Sequence, residues 1–240
     1  MSTASGWHMG RLLAGAAFVA LMLGSTDTTL AQQASTDTLQ VAPDFIVDRY
    51  RAKAESGDVQ AQFRLGYLHE NGLISGSPDL TAAANWYERA AEGGHAAAQF
   101  KRARMYADGV AGPRDYAKAA ALYEAAAKQG VAEAQYNLAI LMQDGIGVEK
   151  KIDSAIRWYE QAAFRGVVPA MRALGLLYLS GVGNSPQDDI EAWAWLTLAV
   201  ENGDTGLSAR LESVSTALSD EATAEAQRLA EAYRQLRIIP

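Results

Sequence analysis

The chain has 240 residues, of which 49% are hydrophobic, enough to bury the core of one sizeable globular domain or two small ones. Lys and Arg number 21 against 28 Asp and Glu, and the resulting formal charge of −7 argues against a surface that binds nucleic acid by displacing counterions from phosphates. With no cysteine, the chain can form no disulfide and carry no lipid-modified cysteine, so its stability has to come from apolar packing.

At the amino terminus, Arg11 precedes an apolar run from Leu12 to Leu23, followed by Gly24, Ser25 and the small-residue site Thr29-Leu30-Ala31. Such a run suits a secretory signal peptide and is short for a spanning helix, which takes about 20 apolar residues. Residues 1–31 are therefore expected to be cleaved after Ala31, giving a periplasmic or secreted product that is not membrane-anchored. Residues 32–43 are largely polar and lack periodicity, which predicts a disordered leader. Over 44–60, Tyr50, Ala54 and Gly57 read as a leading half-repeat, since Gly57 stands 37 residues before Gly94.

From Ala61 onward one block recurs four times: an Ala, then Leu or its substitute four residues on, a small residue at five and Gly at eleven. The copies are Ala61-Leu65-Gly66-Gly72, Ala98-Arg102-Ala103-Gly109, Ala134-Leu138-Ala139-Gly145 and Ala170-Leu174-Gly175-Gly181. A second block follows each, with the pairs Trp86-Tyr87, Leu122-Tyr123, Trp158-Tyr159 and Trp195-Leu196 ahead of Gly94, Gly130, Gly166 and Gly203. Both blocks keep a period of 36 or 37 residues, and each carries the helical spacing that gives one buried stripe and a glycine stop. Four helical hairpins are predicted over 61–97, 98–133, 134–169 and 170–205. Asp79, Asp115, Asp153 and Asp188 are N-cap or first-turn residues of the second helices. Residues 206–240 are expected to cap the array, with a last helix from about Ser219 and a stripe of Ala222, Ala226, Leu229, Ala230, Tyr233 and Leu236.

The run Ala134-Gln135-Tyr136-Asn137-Leu138-Ala139, then Asp144-Gly145-Ile146-Gly147-Val148, then Trp158-Tyr159-Glu160-Gln161-Ala162-Ala163, resembles the Sel1 repeat signature, and the resemblance spans Ala61 to Gly203. It implies an all-α fold, a right-handed α-solenoid of helix-turn-helix repeats akin to tetratricopeptide repeats. Arg102 departs from the pattern by replacing a Leu, and the second repeat is expected to pack less tightly there. His69 and Met142 stand where Tyr106 and Tyr178 carry the family's Tyr.

Chemistry is harder to find. The Gly-x-Gly links lack the preceding strand and the Lys-Ser/Thr pair of a phosphate loop. Outside the signal segment only His69 and His95 remain; His69 is expected to pack in the core and His95 to be solvated, so no metal site is expected. No Ser/His/Asp set stands out, and Glu88, Glu124 and Glu160 recur with the repeat as solvated helix positions. No catalytic residue and no cofactor are expected.

Binding fits the architecture better, because a curved stack presents an extended concave face. By analogy with tetratricopeptide repeats, position two after each starting Ala (Phe63, Phe100, Tyr136, Arg172) and position six (Tyr67, Arg104, Ile140, Leu176) should line it. Aromatics and Arg are the chemistry of interface hot spots. For Phe63, Phe100 and Tyr136, packing between repeats is the favoured reading, and position six is the better candidate for contact with a partner. The expected partner is a protein or peptide segment, and an envelope signalling or assembly complex is the expected context. The alternatives are a cell-wall-associated hydrolase and a peptidoglycan-binding module.

Overall fold

The computed structural model describes residues 41–181 and 188–236. The expected signal peptide, most of the leader and the Val182-Gly183 part of the fourth glycine link lie outside them. Among the described residues there are eleven α-helices and no strand, and no helix is long and apolar enough to cross a membrane. The described residues divide into two compact units, one ending at His95 and one beginning at Ala96.

In the first unit, α1 (Asp44–Glu55), α2 (Val59–Glu70) and α3 (Leu80–Glu92) pack each on the next. In the second, α4 (Ala96–Asp108), α5 (Tyr116–Lys128), α6 (Ala132–Asp144), α7 (Ile152–Phe164), α8 (Val168–Ser180) and α9 (Asp189–Glu201) do the same. A 3₁₀ turn (Thr205–Leu207) leads to α10 (Ser208–Ala217) and α11 (Asp220–Leu236), both of which lie on α9.

The repeat pattern explains why helices form and stop where they do. Asp79, Asp115 and Asp188 cap α3, α5 and α9 by accepting from backbone N–H groups of the first turn, while Asp153 sits in the first turn of α7 behind Lys151. Gly145 and Gly181 close α6 and α8 in the left-handed conformation, at φ 73° and 60°.

Packing between the helices of one hairpin depends on the small residue at position five. At Gly66 a β-carbon would stand 2.6 Å from the Tyr87 ring, and at Gly175 it would stand 2.7 Å from Leu196. Ala103 and Ala139 fill the same slot fully buried. The second-helix tyrosine that meets this slot is itself anchored: Tyr87 donates its hydroxyl to Glu70 at 2.6 Å, and Tyr159 donates to Gln143 at 2.9 Å. Burial pushes the Tyr123 hydroxyl up to about 12, with Asp108 adding to the shift and Arg104 opposing it.

Successive hairpins are joined by a side chain the sequence reading did not single out. Gln62 donates to the carbonyl of Ala54 at 3.0 Å and Gln135 to that of Ala127 at 3.2 Å, each tying the first helix of a repeat to the end of the helix before it. Both glutamines are buried.

Several expectations need correcting. His95 is half-buried rather than freely solvated: it stacks on Phe63 at 4.4 Å and hydrogen-bonds Gln60 at 2.9 Å, its ring completing the packing that the aromatic at position two begins. Glu160 is half-buried, and loss of solvent raises its carboxyl above the usual range despite Arg157. Leu236 leaves the stripe of α11 and is 60% exposed, one turn beyond Tyr233, whereas Ala226 and Ala230 are fully buried. Arg102 is half-buried with its guanidinium 3.7 Å from the Tyr106 ring centroid, where Leu65, Leu138 and Leu174 are buried in the other repeats.

Candidate functional site

In the first unit, Phe63 is half-buried, tilted on Tyr87 at 5.7 Å as well as stacked on His95. Tyr67 is half-buried on the same helix, and burial together with Glu70 raises its hydroxyl. In the second unit the position-two aromatics follow the same rule. Phe100 tilts on Tyr123 at 6.0 Å and Tyr136 on Tyr159 at 5.8 Å, so each is an edge of the core with one side left toward solvent. Arg104 is exposed on α4 and Ile140 is half-buried on α6.

The third and fourth repeats bring three of the predicted residues together. Tyr136 on α6 and Arg172 and Leu176 on α8 line a groove of about 420 Å³ whose walls also include Tyr159, Ala173 and Leu177. Leu176 is 37% exposed, a large apolar side chain held open to solvent. Asp144 and Lys150, both exposed, also line the groove. Phe100, Arg104 and Ile140 are not among its lining residues.

Arg172 does not present an open fork. Its Nε and one terminal nitrogen each donate to Asp204 at 2.6 Å, a two-pronged pair in which the Asp204 side chain is 7% exposed. These hydrogen bonds, reinforced by the carboxylate charge, raise the guanidinium further. The pair stiffens one wall of the groove. It was visible as two linked departures: Arg172 takes the slot of Phe63, and Asp204, 32 residues on, takes the slot of His95, also 32 residues on. A stacked ring pair in the first repeat is replaced by an ion pair in the fourth.

A second constellation lies at the carboxyl-terminal end. Tyr233 of α11 stacks on Trp195 at 4.4 Å, meets Phe164 edge-on at 5.7 Å, and donates its hydroxyl to both Glu191 oxygens at 2.9 Å. Burial raises the Glu191 carboxyl, the Tyr233 bond opposes this, and Asp188 and Glu160 add to the rise. Arg234 holds Glu201 through two further bonds of 3.0 and 2.7 Å. The cluster fastens the end of the array, and no group of metal-ligating residues occurs among the described residues.

The Sel1 repeat of known families matches residues 59–95, 96–131, 132–166 and 168–204, one match per hairpin. The chain belongs to the Sel1 repeat family. A Sel1 repeat protein from Oxalobacter formigenes superimposes with a TM-score of 0.63 at 26% identity, covering 85% of this chain and 78% of that one. The protective antigen c5321 of uropathogenic Escherichia coli, which displays an SLR fold, matches with a TM-score of 0.52 at 27% identity, over 80% of this chain and 49% of the antigen. No curated protein is a significant match. Sel1 repeats generally mediate protein–protein interaction, and such scaffolds are typically non-enzymatic.

Proposed function

We propose that this Sel1 repeat protein is an exported scaffold that grips a partner protein through the first-helix face of its repeats, with the groove between α6 and α8 as the main grip. The observation that carries this reading is the meeting of Tyr136, Arg172 and Leu176 around one groove of about 420 Å³. An aromatic side, a braced guanidinium and an exposed leucine give contact area at low entropic cost, the composition of an interface anchor. The apolar stretch after Arg11 and the Ala31 site support export, and an envelope complex is the setting we favour for the partner.

Crosslinking of the tagged protein in envelope extract, followed by identification of what is recovered, tests the proposal. Partners captured by the native chain should be lost from Leu176→Arg and weakened in Tyr136→Ala, with helicity unchanged. Recovery of the same proteins by all three would overturn the groove as the grip.

A further inference from the structure

A second pocket of about 420 Å³ lies where the second and third repeats join, lined among others by Gln129 at the end of α5, Gln135 on α6, and Trp158, Gln161 and Arg165 on or just past α7. It is separate from the groove above: Gln135 and Tyr136, and likewise Trp158 and Tyr159, are consecutive residues divided between the two.

The repeat register shows what is unusual here. In the second repeat, Gln129 donates its amide to the Oε1 of Gln99 at 2.7 Å. The residues at the same register in the third repeat are Arg165 and Gln135. Arg165 does not make the corresponding bond. Its guanidinium lies on the backbone of Gly130, with its terminal nitrogens 3.3 and 3.4 Å from where a β-carbon on that residue would stand.

Gln135 is 1% exposed, and its Nε2 is committed to the Ala127 carbonyl and, at 3.3 Å, to Gln161. Its Oε1 is left with no donor. A buried acceptor without a donor is costly. The first repeat leaves Gln62 Oε1 open too, but there Gly93 stands at the register of Arg165 and offers no side chain.

We propose that this pocket binds an acidic peptide segment, a main-chain N–H of which donates to Gln135 Oε1 while its carboxylate accepts from Arg165. The two groups suit opposite partners: the orphaned oxygen takes a donor, and the exposed guanidinium, which makes no hydrogen bond or ion pair with another described residue, takes an anionic acceptor. An extended acidic peptide carries both a few ångströms apart, whereas an uncharged saccharide would leave the charge of Arg165 unmatched. The site does not rest on the groove between α6 and α8.

The test is titration of the ¹⁵N-labelled protein with N-acetyl-glutamyl-glycine amide and with its glutaminyl counterpart, reading the Gln135 side-chain amide and the Trp158 indole by NMR. Saturable shifts are expected with the glutamyl peptide and at least tenfold weaker binding of the glutaminyl one. Arg165→Gln recreates the pairing of Gln129 with Gln99, should fill the orphaned oxygen and should abolish the shifts without lowering the melting temperature. Gln135→Met, which copies Met171 of the fourth repeat, should abolish them as well. Leu176→Arg should leave them intact, so that failure of the groove and failure of this pocket are told apart. Absence of saturable shifts, equal binding of both peptides, or undiminished binding by Arg165→Gln would overturn the proposal, and tighter binding of glucuronate would overturn the peptide as its ligand.

Discussion

Replacing Tyr233 by Phe removes one oxygen from the carboxyl-terminal cluster while keeping the ring against Trp195 and Phe164. What is lost is a hydroxyl that donates to both oxygens of Glu191 at 2.9 Å. A hydrogen bond to a charged group contributes about 1.5–3 kcal/mol, and because Glu191 is only half-buried the loss should fall near the lower bound, about 1.5 kcal/mol at about pH 7.5. The penalty should depend on pH with a definite sign. Burial raises the Glu191 carboxyl above its unfolded value of about 4.3, so its effect on stability becomes less favourable as pH rises from that value through the folded one. The Tyr233 bond is the larger of two influences, with Trp195, that hold the folded value down, and Tyr233→Phe lets it climb. The variant should therefore lose most above that window, where the bare carboxylate is left without its donor, and less than about 1 kcal/mol at about pH 4, where the carboxyl is protonated. Urea unfolding followed by tryptophan fluorescence at the two pH values measures this, with Trp195 reporting directly on the contact. Equal penalties at both pH values, or none at either, would refute the reasoning.

Gly66→Ala places a methyl 2.6 Å from the Tyr87 ring, which is fully buried and tied to Glu70. Overpacking of about 1–3 kcal/mol should outweigh the gain of about 1 kcal/mol in helix propensity, so thermal unfolding should show net destabilisation. Arg172→Ala leaves Asp204 buried without its two donors and should lower the melting temperature more than Arg210→Ala at an exposed position. Burial lowers the His69 ring below its ordinary value, with Asp79 opposing and Arg51 assisting. Stability should thus be full above about pH 6.5 and decline as pH falls through the folded value, and His69→Tyr should flatten that decline in melting curves taken across the range.

The helices, their caps and the repeat register were legible because each is local: an aspartate ahead of a helix, a glycine behind it, an apolar stripe at helical spacing. The path from Asp115 to Gly130 is an instance. The pairing of Arg172 with Asp204 was harder to see, since it becomes visible only when two departures from the pattern are set against Phe63 and His95. For the same reason the stacking of His95 was missed: in isolation it is a polar residue at a boundary, and its partner Phe63 lies 32 residues away. The position-two aromatics serve both readings at once, one side of each packed on a second-helix tyrosine and the other left at the surface. The orphaned oxygen of Gln135 could not have been found without coordinates, because it depends on which way Arg165 turns.

The glutamine ties at Gln62 and Gln135 belong to junctions and not to hairpins, since each runs from the first helix of one repeat to a carbonyl near the end of the helix before it. A hairpin copied in tandem brings along both halves of such a tie: the amide that reaches back and the carbonyl that the next copy will use. The array could therefore be lengthened or shortened by whole hairpins without inventing a new joint. Met171 is where that interchangeability stops, and beyond it the chain turns to the individually fitted contacts of Tyr233 and Arg234.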